Sequence, residues 1–274
     1  MVWLRLLWAR FRKVNANQVA ASLAFTTLLS LIPLITLIVV ILAQLPLAVQ
    51  LGSVLRMFLQ ENLLPEKAGR VIATYAVQFS QKASRLTALG TGLLALTSLT
   101  LLLTIERALN AMFAIQKPRP WLKRLGLYSV VVLIGPVAMG GAIVASTYLL
   151  GISLGLLNEP VWVRDILLKA LPLGLTGSFI GFLFYAIPNC AVRPLHALVG
   201  GGLAALGLAG LQSGLAWFLA NFPTWSVIYG AFAVVPIFLV WLYLSWLVIL
   251  LGALLVAVWS GRAGVATAKA PRSR

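Results

Sequence analysis

The chain has 274 residues, of which 61% are hydrophobic and only 9% charged, and its mean hydropathy is +1.02. A water-soluble domain carries about a quarter of its residues charged, so that class is excluded. A net charge of +16 invites a nucleic-acid reading, which the placement of the charges rejects below, and one cysteine with one histidine rules out an internal disulfide and a Cys/His metal site.

In chain order, "MVWLRLLWARFRK" sets Trp3, Leu4, Leu7, Trp8 and Phe11 on one helical face and Arg5, Arg12 and Lys13 on another. That is the pattern of a helix lying flat at an anionic headgroup surface, so residues 1–21 are read as a cytoplasmic amphipathic helix. The apolar run that follows is too long for a secretory signal and has no small-residue cleavage site close behind it, so it is read as the first span.

Crossing about 30 Å of hydrocarbon takes about 20 apolar residues in a helix. Windows of that kind fall at 22–44, 86–105, 126–150, 171–187, 195–220 and 232–258, the fourth being the shortest. The fold class is therefore an all-α integral membrane protein, a six-transmembrane-helix bundle in a single membrane domain over 1–274. The outer loop between the first two spans has helical spacing over Val54 to Asn62 and Glu66 to Phe79, and predicts two short helices capping that face. Residues 259–274 are read as a basic, disordered tail.

Fourteen Lys and Arg residues fall on the side that holds both chain ends, and seven on the other side with four of the five acids. By the positive-inside rule both termini face the cytoplasm. The basic excess thus follows loop parity and points to lipid, and no soluble segment interleaves basic and aromatic residues as a nucleic-acid surface would.

In the first span Ser22, Thr26 and Ser30 recur every fourth residue, which stacks them on one helical edge, and Pro33 follows. Two readings stand: a hydroxyl edge for helix packing, and the wall of a path beside an interrupted helix. The fifth span carries Gly202, Gly210 and Gly214 in four-residue register with Gly201, Ala205 and Ala209 beside them, and the fourth carries Gly177 and Gly181. Small residues at that spacing let neighbouring helices approach closely.

Glu106 stands alone near the inner end of the second span, with Asn110 one turn further along. Topology puts Arg193 on the same side. Glu106, Asn110 and Arg193 are therefore a candidate cytoplasmic latch between the second span and the fourth loop, against the alternative of an interfacial glutamate neutralised by nearby arginines. Trp225, Tyr229, Gly230 and Pro236, in the near-chargeless stretch "PTWSVIYGAFAVVP", are candidate outer-interface residues, and Pro236 permits a bend.

Phosphodiester hydrolysis takes paired carboxylates with metal ions or a general acid and base in reach of each other. Four of the five acids, Glu61, Glu66, Glu159 and Asp165, lie on the outer side and leave Glu106 without an acidic partner. His196 is read as an interfacial residue and Cys190 as a small buried apolar one. No catalytic group, cofactor or metal ligand set is identified, and the chain is not read as an enzyme.

"NANQVAASLAFTTLLSLIPLITL", "IERALNAMF", "FYAIPNCAVRP" and "YGAFAVVPIFLVWLYLSWLVILLGALLVAV" together resemble, in order, the YihY/BrkB family of bacterial inner-membrane proteins. The resemblance implies an inner-membrane location and a helical membrane architecture. The family was once labelled ribonuclease BN, a label the acid inventory opposes here. The chain departs from the family pattern at Leu254, where a glutamate often follows Gly-Ala, and at Phe113, where tryptophan is frequent. Two functions remain: a carrier or flippase for a lipid or other amphiphile, and a non-catalytic membrane scaffold that binds a protein partner or a second copy of itself. Membrane lipids are expected partners of either.

Overall fold

A computed structural model describes residues 2–43, 88–116, 119–131, 161–221 and 234–261. All the regular structure in them is helical: α1 (Val2–Lys13), α2 (Ala16–Ala43), α3 (Ala88–Met112), α4 (121–131), α5 (Val161–Ala186), α6 (Pro194–Asn221) and α7 (Val234–Trp259). The expected helices between 54 and 79, the third expected span beyond 131, the tail beyond 261, and Trp225, Tyr229 and Gly230 lie outside the described residues.

Local chemistry sets the helix boundaries. α1 and α2 are separated at Asn15, which adopts a left-handed φ of 51° that asparagine tolerates better than most residues. α3 ends in a Schellman motif: Ile115 N–H donates to Asn110 O at 2.8 Å and Ala114 N–H to Ala111 O at 3.1 Å. The left-handed position there, usually glycine, is Ala114 with φ 56°. α2 runs through Pro33 to Ala43. α5 begins at Val161 and carries Pro172 inside it, so the helix over the fourth expected span starts ten residues earlier than the apolar window. Pro236 lies in the first turn of α7, where no backbone N–H bond is required, so it starts the helix instead of bending it.

α7 is the hub, packing on α1, α2, α3 and α6 and touching α5. The main core joins the first turns of α2 (Ala16, Ala20, Leu23) to the last turns of α3 (Leu109, Met112, Phe113) and of α7 (Ala253, Leu254, Ala257). A second cluster places Ala24 of α2 against Phe238 and Leu242, nearer the start of α7. α2 is therefore antiparallel to α7, and its N-terminus shares one end of the bundle with the C-termini of α3 and α7.

That end also carries α1, the α3–α4 connection and the turn between α5 and α6, with Arg10, Arg12, Lys13, Arg107, Arg119, Arg124 and Arg193; it is called the basic end below. Leu7 and Phe11 of α1 pack against the core, so part of the face expected to meet headgroups is taken up by protein. Trp8 stays 58% exposed, stacks on Phe11 at 5.7 Å and lies under the Arg12 guanidinium at 5.2 Å.

α5 and α6 form a hairpin with near backbone contact. A Cβ on Gly201 would collide with the backbone of Gly177 and Gly181. On its other side α6 meets α7 through Gly200, where a Cβ would overlap the Val256 side chain, and through Gly207, where it would come within 2.7 Å of Val248 Cγ1. Gly202, Gly210 and Gly214, the register picked from the sequence, have open space at their Cβ positions, although the Gly202 backbone lies against Gly177. Among the described residues α6 and the stretch Val235–Trp259 are long and apolar enough to cross a membrane, with mean hydropathies of 1.6 and 2.5 over their best windows.

Candidate functional site

Glu106 is 0% exposed at the last turns of α3. A carboxylate so buried must be surrounded by donors, because desolvating it without partners costs several kcal/mol. It has three. The Tyr128 hydroxyl donates to Oε2, Arg124 Nε to Oε1 at 3.2 Å, and Asn110 Nδ2 to Oε1 at 3.4 Å. The helical period explains the set: Asn110 lies one turn along α3, and Arg124 and Tyr128 lie one turn apart on α4, so two neighbouring helices each present a pair.

The network continues across the bundle. The Asn110 carbonyl oxygen accepts the backbone N–H of Asn189 at 2.9 Å. Arg119 donates from Nε to Asn189 Oδ1 at 3.2 Å and from a terminal nitrogen to Pro188 O at 2.8 Å. The α3–α4 pair is thereby clipped to the turn after α5.

The second span meets the fourth loop through Asn110, one of the three expected residues, and not through a Glu106–Arg193 pair. Arg193 is exposed, and its described role is to offer its carbonyl to Ala197 N–H at the start of α6 at 3.1 Å. The ion pair of Glu106 is with Arg124. The reason is depth: Glu106 lies six residues before the end of α3 and Arg124 and Tyr128 three and seven residues into α4, so a helical hairpin brings them level, whereas Arg193 lies in a turn at the bundle's edge.

The hydroxyl edge of α2 divides. Ser22 is exposed, and Thr26 turns its hydroxyl back to Ser22 O at 2.8 Å. Ser30 is buried, with its hydroxyl 3.4 Å from Thr97 O of α3. Thr27, beside this edge, accepts the Trp246 indole N–H of α7 at 3.0 Å. Pro236 is exposed. His196 packs edge-on to Trp259, with ring centroids 6.4 Å apart. No group of three His, Cys, Asp or Glu side chains able to hold a metal occurs among the described residues.

The family described as Virulence factor BrkB matches residues 7–274. A UPF0761 membrane protein of Azoarcus sp. (strain BH72) is 51% identical over 93% of this chain and 62% of its own length. Another, from Aromatoleum aromaticum, is 49% identical over 93% and 63%, and one from Methylibium petroleiphilum 39% identical over 93% and 61%. The chain thus spans about three fifths of the length of these relatives. No solved structure matches it. The apolar helices, the buried polar clip and a match over nearly the whole sequence lead to one conclusion: the chain belongs to the BrkB family of membrane proteins.

Proposed function

We propose that the protein is a carrier or flippase for a lipid or other amphiphile, crossing a bacterial inner membrane six times, with its basic end in the cytoplasm closed by the Glu106 network. The observation that carries the reading is Glu106 itself, fully buried in a bundle whose core is mostly apolar. An ionisable group at membrane depth is expensive and marks a functional element when it is held by specific partners. Here the partners bridge two parts of the bundle. α2 and α3 pack together and on α7, α5 reaches α7 chiefly through α6, and among the described residues the polar bonds from Asn110 and Arg119 to the α5–α6 turn tie α3 and α4 to the hairpin at the basic end. A bundle clipped at one end has the form of a carrier held shut on that side.

The test uses the purified full chain in liposomes that contain fluorescent lipids in both leaflets, with a membrane-impermeant quencher added outside. Lipid movement well above protein-free liposomes, altered by Glu106→Gln, supports the reading. Absence of movement across neutral, zwitterionic and anionic lipids refutes it, and a stable co-purifying protein partner in that case favours the scaffold.

A further inference from the structure

Ser98 of α3 and Ser245 of α7 are 1% and 7% exposed, and neither hydroxyl has a hydrogen-bond partner among the described residues. Ser260, in the turn that ends α7, shares this state, whereas other helical hydroxyls satisfy themselves locally. Thr26, Thr100, Thr104, Ser129 and Ser178 each close onto the carbonyl four residues back in their own helix, at 2.7–3.0 Å. Those bonded hydroxyls are on the exposed side of their helices, whereas Ser98 and Ser245 are the two buried unbonded ones that lie inside a helix. A buried hydroxyl left unmatched is costly and is available to bond an incoming polar group.

The two are joined by position to Ser30. Ser30 is fourteen residues from Ala16 at the basic end of α2, Ser98 fourteen from Met112 at the basic end of α3, and Ser245 fourteen from Trp259 at the basic end of α7. At 1.5 Å per residue all three lie about 21 Å along their helices from that end. Cross-helix bonds fix the register: Ser30 reaches the carbonyl of Thr97, the residue before Ser98, and Trp246, the residue after Ser245, donates to Thr27, one turn from Ser30. Three buried serines therefore occupy one level of the α2–α3–α7 seam.

That level carries no ionic partner on the three helices that form it. α2 and α7 contain no charged residue, and α3 has none before Glu106, eight residues nearer the basic end, whose carboxylate is already taken by three donors. A phosphate or an ammonium there would be desolvated without compensation. A hydroxyl or amide head would match the serines one for one.

We infer that α2, α3 and α7 form a mid-depth binding site for the polar head of an uncharged amphiphile, one bearing hydroxyl or amide groups and no phosphate. The site rests on the carrier reading for its purpose, but binding to it is measurable without transport. Its hydroxyls are shut off from the surface, so a head reaches them only when α2 or α3 parts from α7, and the Glu106 clip holds α3 at one end.

The experiment reconstitutes the full chain in liposomes that contain either a photoreactive diacylglycerol or a photoreactive phosphatidic acid with identical acyl chains, and maps the cross-links by peptide. Diacylglycerol should label peptides of α2, α3 and α7 well above phosphatidic acid. The Ser98→Ala/Ser245→Ala double variant should lose about sevenfold of that labelling, the equivalent of two intramembrane hydrogen bonds of average strength, with no fall in melting temperature. Equal labelling by the two probes, or a double variant labelled like the parent, overturns the site. The comparison of probes on the unaltered chain stands even if the variant does not fold. Specific labelling without lipid movement leaves the site and removes the carrier, and lipid movement with equal labelling does the reverse.

Discussion

Glu106→Gln is the sharpest perturbation of the basic end. The substitution keeps the shape and leaves an acceptor oxygen for Tyr128 or Asn110, but it strips Arg124 of its counter-charge at 3.2 Å. Removing one member of a buried ion pair costs about 3–5 kcal/mol, and because the Arg124 side chain is 15% exposed the loss belongs near the lower bound, about 3 kcal/mol. In a chain of this length each kcal/mol moves the midpoint by about 2–4 °C, so the melting temperature in detergent should fall by about 6–12 °C. Thermal loss of helical circular dichroism on the purified full chain reads it directly. Adding Arg124→Leu removes the stranded cation and should recover at least half of the fall. A Glu106→Gln variant within about 2 °C of the parent, or a double variant whose losses simply add, would show that Glu106 and Arg124 do not act as a pair.

Ala114→Gly relieves a left-handed alanine at the end of α3 and should stabilise the chain by about 1 kcal/mol, read in the same melt. Gly201→Leu should abolish recovery of folded protein, because even a Cβ there meets the α5 backbone. Gly210→Ala, with open space around it, should be neutral or gain up to about 1 kcal/mol of helix propensity; equal damage from the two glycine variants would contradict the close α5–α6 approach. Reporter fusions at either chain end should be active in the cytoplasm, and periplasmic activity of either would reverse the orientation.

The helical bundle was legible because long apolar windows leave the backbone no other way to satisfy its polar groups. The start of α5 was not. Arg164, Asp165 and Lys169 read as a loop by composition, yet the helix that carries Pro172 already runs through them. The importance of Glu106 was legible from its isolation, and its link to Asn110 from one-turn spacing. Its partner on α4 was missed because loop parity says only which side a residue is on, and counting residues back from each end of the α3–α4 connection would have placed Arg124 and Tyr128 at its level. The glycines of α6 misled for a related reason: a helix with small residues all round does not say by spacing alone which face meets which neighbour. Ser98 and Ser245 gave no periodic signal, Ser98 standing among Thr97, Thr100 and Thr104 and Ser245 being the one serine of its span, and only the shared depth with Ser30 connects them.

The two sides of α7 are built on different physics, and in a carrier that difference would decide where movement can occur. Towards α6 the contact is backbone on small side chain, with Gly200, Gly207 and Gly252 admitting neighbours so closely that a single added methyl would displace them. Interfaces of that kind lose dispersion contacts steeply on separation and gain nothing polar in return. Towards α2 and α3 the contact includes the Trp246–Thr27 bond, the long Ser30–Thr97 bond and two hydroxyls with no partner, so parting these helices frees donors that a polar head can use. On the carrier reading proposed above, the α5–α6–α7 side is the frame and the α2–α3 side the part that moves. On that reading the Glu106 clip is placed to govern the motion, since it ties α3 through Asn110 to the α5–α6 turn at Asn189. Breaking the clip with Asn110→Leu should raise the rate of lipid movement while leaving α5–α6 packing intact, and a variant that unfolds the hairpin first would show that frame and moving part have been assigned the wrong way round.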